Sequence, residues 1–425
     1  MESVIQDLRY SLRMILKQPR FFSILILTVA LGIGANSMIF SVVNTLLLGP
    51  LPFRDSDRLV ALWRTVPAEE VDKSETSPPD FQVWREQGTA FEGMAGYFVA
   101  GANFAGAAGE PDRVHVASAS ANLFNVLGVE PAHGRLFRPE EEQFGNHRVA
   151  VISHGLWRRQ FGASEQALGR TVELDSEPYQ IVGVMPEGFW FPQGPPRVDL
   201  WIPLSFEPNS YLNTRKNYFL SVVARLKPGA TVEQARANME SVSRQLAENF
   251  RENAGSGASV VPFREEVVGD VRGALWVVFA AVSFVLLIAC VNVANLLLAR
   301  AASRDKEIAI RGALGANRAR LVRQLLVESV LVALIGGALG LLLTYVGVSS
   351  MNSLIPGDIA RGMEIRVDAW VLAFTFLVSL VTGVAFGLVP ALQASKPNLT
   401  ETLKEGGRSG SGTISGKVRG LLVVT

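Results

Sequence analysis

Cysteine is almost absent from this chain. Cys290 is the only one in 425 residues, so no disulfide can staple any part of it, and every folded unit must rest on its own core. The four histidines, His115, His133, His147 and His154, have no metal-ligand spacing. No G-x-x-x-x-G-K-S/T loop is present to cradle phosphates, and neither H-E-x-x-H nor G-x-S-x-G occurs. Catalysis by this chain is therefore not expected, and no cofactor or metal is called for. Charge is scarce as well: 19% of residues are Asp, Glu, Lys or Arg, below the roughly 25% usual in soluble domains.

The shortage of charge is concentrated. Four stretches contain none at all: between Arg20 and Arg54, Arg272 and Arg300, Glu328 and Asp358, and Asp368 and Lys396. Each has room for the roughly 20 apolar residues that cross a bilayer as a helix. Expected spans are 21–49, 272–300, 326–349 and 369–392. The first run is too long for the apolar region of a signal peptide and has no small-residue cleavage site, so it reads as a retained helix.

The placement of basic residues then orients the chain. Arg9, Arg13, Lys17 and Arg20 precede the first span. Arg300, Arg304, Lys306, Arg311, Arg318, Arg320 and Arg323 crowd the segment 301–325, and Lys396, Lys404, Arg408, Lys417 and Arg419 follow the fourth span. The loop 350–368 has no such excess. The positive-inside rule puts both termini and 301–325 in the cytoplasm, and the long segment 50–270 on the extracytoplasmic side of the membrane. The expected fold class is thus a membrane protein: four transmembrane α-helices with a large α+β extracytoplasmic domain between the first two. No nucleic-acid partner is expected.

Residues 1–20 alternate apolar Val4, Ile5, Leu8, Leu12, Ile15 and Leu16 with charges at helical spacing. This reads as an amphipathic helix on the cytoplasmic membrane surface or against other protein, and Pro19 divides it from the first span. In the outer segment, strand alternation marks 113–120, 148–153, 179–185 and 218–226. Ser77-Pro78-Pro79-Asp80 and Thr231 with Gln234 signal helix starts, the second followed by a stripe of Ala235, Met239, Val242, Leu246 and Phe250. Two subdomains are expected, with Pro192, Pro195 and Pro196 in a loop between them.

Within the membrane, Gly336 and Gly340 stand four apart, as do Gly383 and Gly387, and Gly32 and Gly34 leave a notch in the first helix. Such residues let backbones approach, although a hinge is the alternative. Asn36, Asn44, Asn292 and Asn295 are read as interhelical hydrogen-bonding groups. No ionisable group is expected within the spans, which argues against a proton- or ion-coupled transporter.

The most informative order of residues lies in the second cytoplasmic segment. Arg304-Asp305-Lys306-Glu307-Ile308-Ala309-Ile310-Arg311-Gly312-Ala313-Leu314-Gly315-Ala316-Asn317 reads as a short charged helix that stops at Gly315. This segment resembles the cytoplasmic loop of the MacB/FtsX class of ABC transporter permeases, roughly R-x-x-E-I-G-I-R-x-A-x-G-A. Ala309 stands where the family usually has Gly. Leu31-Gly32-Ile33-Gly34-Ala35-Asn36, Pro390-Ala391 and Lys396-Pro397 are similar to the family's opening helix and exit, and the order of one helix, outer domain and three helices is the family's too.

The resemblance implies a permease subunit moved by a cytoplasmic ABC ATPase, with Glu307, Ile308, Arg311, Ala313 and Gly315 as the docking surface. It also implies a second permease unit, as a homodimer or as the second half of a longer chain, and allows an envelope adaptor protein. Leu51-Pro52-Phe53-Arg54 resembles the duplicated orphan branch of the class. The tail 393–425 ends in Lys417-Val418-Arg419-Gly420-Leu421-Leu422-Val423-Val424, which reads as the approach to a further helix. An FtsX-like regulator of an extracytoplasmic enzyme and a lipoprotein-extraction permease are the alternative readings.

Overall fold

A computed structural model of the chain describes residues 2–49, 51–105, 111–192, 196–207, 210–303, 318–354 and 367–394. The chain divides into two compact units, with breaks after Ser41, Val277, Val348 and Arg366.

The first unit is helical. Helix α1 (Glu2–Lys17) stops before Pro19, which opens α2 (Pro19–Val43) at the position where a missing N–H costs nothing. With α7 (Phe263–Ser303), α8 (Arg318–Leu354) and α9 (Ala369–Ala394) it supplies four helices long and apolar enough to cross a membrane: Pro19–Val43, Arg272–Arg300, Val322–Ser350 and Ala369–Leu388. Helix α2 contributes Phe22, Leu25, Val29 and Ile33 to the buried centre, against Val293 of α7, Val332 and Ala333 of α8, and Phe386 of α9. Lipid is as apolar as these side chains, so close packing and polar contacts hold such helices together rather than the hydrophobic effect.

Helix α1 turns an unexpected edge inward. Asp7 and Ser11 are buried, while Leu8, Leu12 and Leu16 point outward. Its leucines are therefore free for a lipid interface, and its acid is reserved for a partner within the bundle.

The second unit is α+β. Its strands are β1 (Leu59–Val66), β2 (Val71–Ser74), β3 (Phe91–Ala105), β4 (Pro111–Ala119), β5 (His133–Gly134), β6 (Val149–Ile152), β7 (Thr171–Leu174), β8 (Glu177–Val184), β9 (Leu200–Pro203), β10 (Ser221–Leu226) and β11 (Gly257–Pro262). Among the described residues they form one sheet in the order β11-β1-β10-β3-β4-β9-β6-β8-β5, with β2 on β1 and β7 bridging β3 and β8. Helices α3 (Pro78–Gln87), α4 (Leu123–Leu127), α5 (His154–Phe161) and α6 (Val232–Asn249) accompany it.

This corrects the expected division at Pro192–Pro196. Strands from both ends of the segment pair with each other, β1 with β10 and β11, and the middle of the chain extends the same sheet through β4 and β9. Long β3, which pairs with β10, β4 and β7, makes two separate sheets impossible.

The helix starts follow from local chemistry. The Thr231 hydroxyl accepts from the Gln234 N–H and the Gln234 side chain accepts from the Thr231 N–H, a reciprocal cap. Ala235, Met239, Val242 and Leu246 then bury one face of α6. Ser77 caps α3, but Asp80 does not return the bond to the backbone of Ser77; its carboxylate accepts instead from the Ser77 hydroxyl, Asn253 and Arg215. Trp190, Trp201, Phe104, Phe124 and Phe191 are fully enclosed, each contributing about 1.5–3 kcal/mol of burial.

Candidate functional site

Glu307, Ile308, Arg311, Ala313 and Gly315 lie outside the described residues. The helices leading into and out of that segment are described, and both carry ion pairs. Arg300, in the last turn of α7, places Nη1 3.3 Å from Oε1 of Glu328 on α8, with the two side chains 10% and 6% exposed. The guanidinium also lies over the rings of Phe22 and Phe21, 4.5 and 4.9 Å from their centroids. A planar, weakly hydrated cation suits such a site, since it can stack on rings and still address a carboxylate edge-on. On the same helix α8, Arg323 Nε donates to Oδ2 of Asp7 at 2.9 Å, which ties α1 to the bundle.

These pairs correct the expectation that the spans hold no ionisable group. The apolar window Val322–Ser350 takes in both Arg323 and Glu328. Taken singly, each looks like a charge that ends a span. Arg300 and Glu328 come together only because α7 and α8 are neighbours.

The glycines sit at close crossings. A Cβ on Gly340 would fall 2.9 Å from the Ala30 carbonyl and 3.0 Å from the Gly34 nitrogen, so α2 and α8 meet backbone to backbone. The Thr344 hydroxyl donates to the carbonyls of Gly34 and Gly340 at the same crossing. A Cβ on Gly336 would meet Val29, one on Gly383 would meet Val330 and Ala333, and one on Gly387 would meet Ser329. Asn36 Nδ2 donates to the Val282 carbonyl and its Oδ1 accepts from Ser283, joining α2 to α7.

The outer unit has its own junction, where the chain enters and leaves. Past α2 the backbone widens into a short π-helix, Asn44–Leu48. Arg264, in the first turn of α7, donates from Nη1 to the carbonyls of Leu47 and Gly49, both at 3.0 Å. Two residues on, Glu266 accepts from Trp63 Nε1 at 3.0 Å and from Lys73 Nζ at 2.8 Å. Phe263 packs edge-on to Phe53 and stacks with Phe191. Burial, and then the charge of Glu266, pushes the Tyr97 phenol well above its usual range, so this group stays neutral. Strand β11 ends at Pro262 and α7 begins at Phe263, so no loop separates the sheet from the helix.

The model of the MacB-like periplasmic core domain matches residues 22–242, more than half of the chain, and that of the FtsX-like permease C-terminal region matches residues 279–399. The chain belongs to the MacB/FtsX class of permeases. Among curated relatives of this permease, the macrolide export ATP-binding/permease protein MacB of Burkholderia thailandensis is 29% identical over 291 residues, covering 66% of this chain and 41% of that protein. MacB of Escherichia coli K12 is 28% identical over 287 residues, covering 67% and 42%. The permease thus spans about two fifths of the length of the curated relatives it matches. The periplasmic region of MacB from Actinobacillus actinomycetemcomitans aligns in structure with a TM-score of 0.37 at 13% identity, covering 51% of this chain and 94% of that one.

Proposed function

We propose that this permease is the transmembrane subunit of an ABC-type exporter, in which a separate cytoplasmic ATPase drives movement of the extracytoplasmic domain. The observation that carries the reading is the seam between β11 and α7. A sheet strand passes directly into a helix that continues unbroken from Phe263 to Ser303, and Arg264 and Glu266 lock its first turn to the outer domain. Any displacement of α7 at the Ser303 end is then felt at the sheet without a slack connector.

The ATPase contacts the segment that follows Ser303, with Glu307, Ile308, Arg311, Ala313 and Gly315 forming the docking surface and both termini in the cytoplasm. A second permease unit completes the assembly, and an envelope adaptor receives the outer domain. The relatives' names join ATP binding and permease in one protein.

The test is co-purification of the tagged full chain from native membranes. A P-loop ATPase subunit should accompany the wild-type chain and be lost from the Glu307→Ala/Arg311→Ala double variant, with insertion and topology unchanged. Equal recovery with both would refute the docking surface, and no ATPase with either would refute the exporter reading.

A further inference from the structure

Helix α1 has three distinct edges. Asp7 and Ser11 are buried against the bundle, where Asp7 accepts from Arg323 on α8, and Met14 and Ile15 pack on the cluster around Phe22 and Leu25. Leu8, Leu12 and Leu16 stand four apart, hence in one line, and are 40%, 50% and 71% exposed. Arg9, Arg13 and Lys17 each follow one of these leucines, about 100° further round the helix. All three cations are exposed. An apolar edge thus runs beside a cationic one, and the acid Asp7 is turned away from both.

Its contacts fix where this helix lies. Continued straight from α2, α1 would carry Asp7 about 22 Å beyond Phe22. Arg323, which holds Asp7, is only about 7.5 Å along α8 from Glu328, and Glu328 pairs with the Arg300 that covers the Phe22 ring. The chain therefore turns at Pro19 and lays α1 across the end of the bundle. The apolar line does not stop at the turn. Ile24, Leu27 and Leu31 of α2 are also more than half exposed, and at spacings of four and three they extend the row of Leu8, Leu12 and Leu16. Arg20, likewise exposed, stands where the two rows join.

Ile24, Leu27 and Leu31 lie within a helix long and apolar enough to cross a membrane, where acyl chains cover an exposed face. A surface continuous with that face, but edged by four cations, matches the boundary at which acyl chains end and phosphates begin. We infer that α1 is a binding face for anionic lipid, with its leucines in the shallow acyl layer and Arg9, Arg13, Lys17 and Arg20 on the headgroups. The Asp7–Arg323 bond joins this face to α8, so one short helix touches both the lipid and the bundle. Each cation close to an anionic surface favours it about fivefold, so three together give a preference of about a hundredfold over zwitterionic lipid. The inference is independent of the exporter reading: it needs no ATPase and uses no residue of the docking surface.

The test uses the full chain in bilayer discs of phosphatidylcholine alone, or of phosphatidylcholine mixed with phosphatidylglycerol. Leu12→Cys in a Cys290→Ala background carries an environment-sensitive dye, and a nitroxide at a shallow acyl position is the quencher. Quenching is expected, and it should be stronger in the discs that contain phosphatidylglycerol. A dye left unquenched in both, whether in water or under a protein partner, would overturn the inference; equal quenching in both would overturn the role of headgroup charge. A second measurement needs no cysteine. Wild type and Arg9→Gln/Arg13→Gln/Lys17→Gln are equilibrated in detergent with both lipids, and the lipid that stays bound is identified by mass. Arg20 and the cations of 301–325 remain to orient the variant chain. The wild type should retain phosphatidylglycerol over phosphatidylcholine, and the triple variant should lose that preference by about tenfold or more. An unchanged preference refutes the inference.

Discussion

Removing the carboxylate of Glu328 should loosen the helical unit by an amount that can be worked out in advance. Two unit charges 3.3 Å apart attract by about 5 kcal/mol at an effective dielectric near 20, and with so little exposure solvent screens the pair weakly. Most of that attraction offsets the cost of dehydrating both groups, so the intact pair contributes little net stability. Deleting one member is different, because the other charge stays buried and typically costs about 3–5 kcal/mol.

In Glu328→Gln the amide oxygen still accepts from Arg300, and the rings of Phe21 and Phe22 still hold the cation. The low end, about 3 kcal/mol, is therefore expected. The double variant Arg300→Met/Glu328→Leu removes both charges and keeps the volume. It should return to within about 1 kcal/mol of wild type, with a strong coupling in the double-mutant cycle. Cys290 makes the assay specific: it is the sole thiol and packs against the core of the helical unit, so a thiol-reactive dye reports the opening of that unit. A fall in midpoint of about 6–12 °C for the single variant, largely recovered in the double, is the expected result. If Glu328→Gln melts like wild type, or the double variant is as weak as the sum of the singles, the buried-pair argument fails.

Two further outcomes follow from named contacts. Gly340→Ala forces a methyl against the Ala30 carbonyl and the Gly34 nitrogen, neither of which is a flexible side-chain end, and should cost about 1–3 kcal/mol by the same dye assay. Gly273→Ala, whose Cβ meets nothing within 4 Å, should be neutral or stabilising by up to about 1 kcal/mol; equal losses at both positions would refute close packing as the reason. In the outer domain, burial raises the Glu141 carboxyl, but two bonds from Arg135 and one from the Arg138 N–H outweigh it and leave its pKa below the ordinary 4.5. A lowered folded-state pKa stabilises above pH 4.5, and that stability is lost as pH falls through the folded value. Glu141→Gln should thus unfold at a lower midpoint than wild type at pH 7, with the gap closing under acid; a gap independent of pH would refute the assignment.

The four membrane-length helices were legible because long charge-free runs are written residue by residue. So was the start of α6, where Thr231 and Gln234 are both the signal and the bond. Strand β3 was not legible. Its Gly93, Ala95, Gly96, Ala100, Gly101 and Ala102 have poor strand propensity, and Gly96 is small because the Phe81 ring lies 3.1 Å from where its Cβ would be. That reason comes from a helix elsewhere in the chain. The pairing of β1 with β10 and β11 spans most of the outer domain in sequence, so local pattern could not reveal one continuous sheet. The same holds for Arg300 and Glu328, each of which reads locally as an ordinary boundary charge. For the segment Glu307–Ala316 the order of residues was informative where the described structure is silent.

One guanidinium, that of Arg264, holds the backbone where the outer domain begins and sits on the helix where that domain ends. The domain is therefore a closed cassette with adjoining ends. A domain inserted in this way can be replaced or lengthened without changing the separation of the two chain ends it joins, provided the incoming piece brings its own ends back to the same spot. The meeting point of those two ends is set by a single side chain and two carbonyl groups.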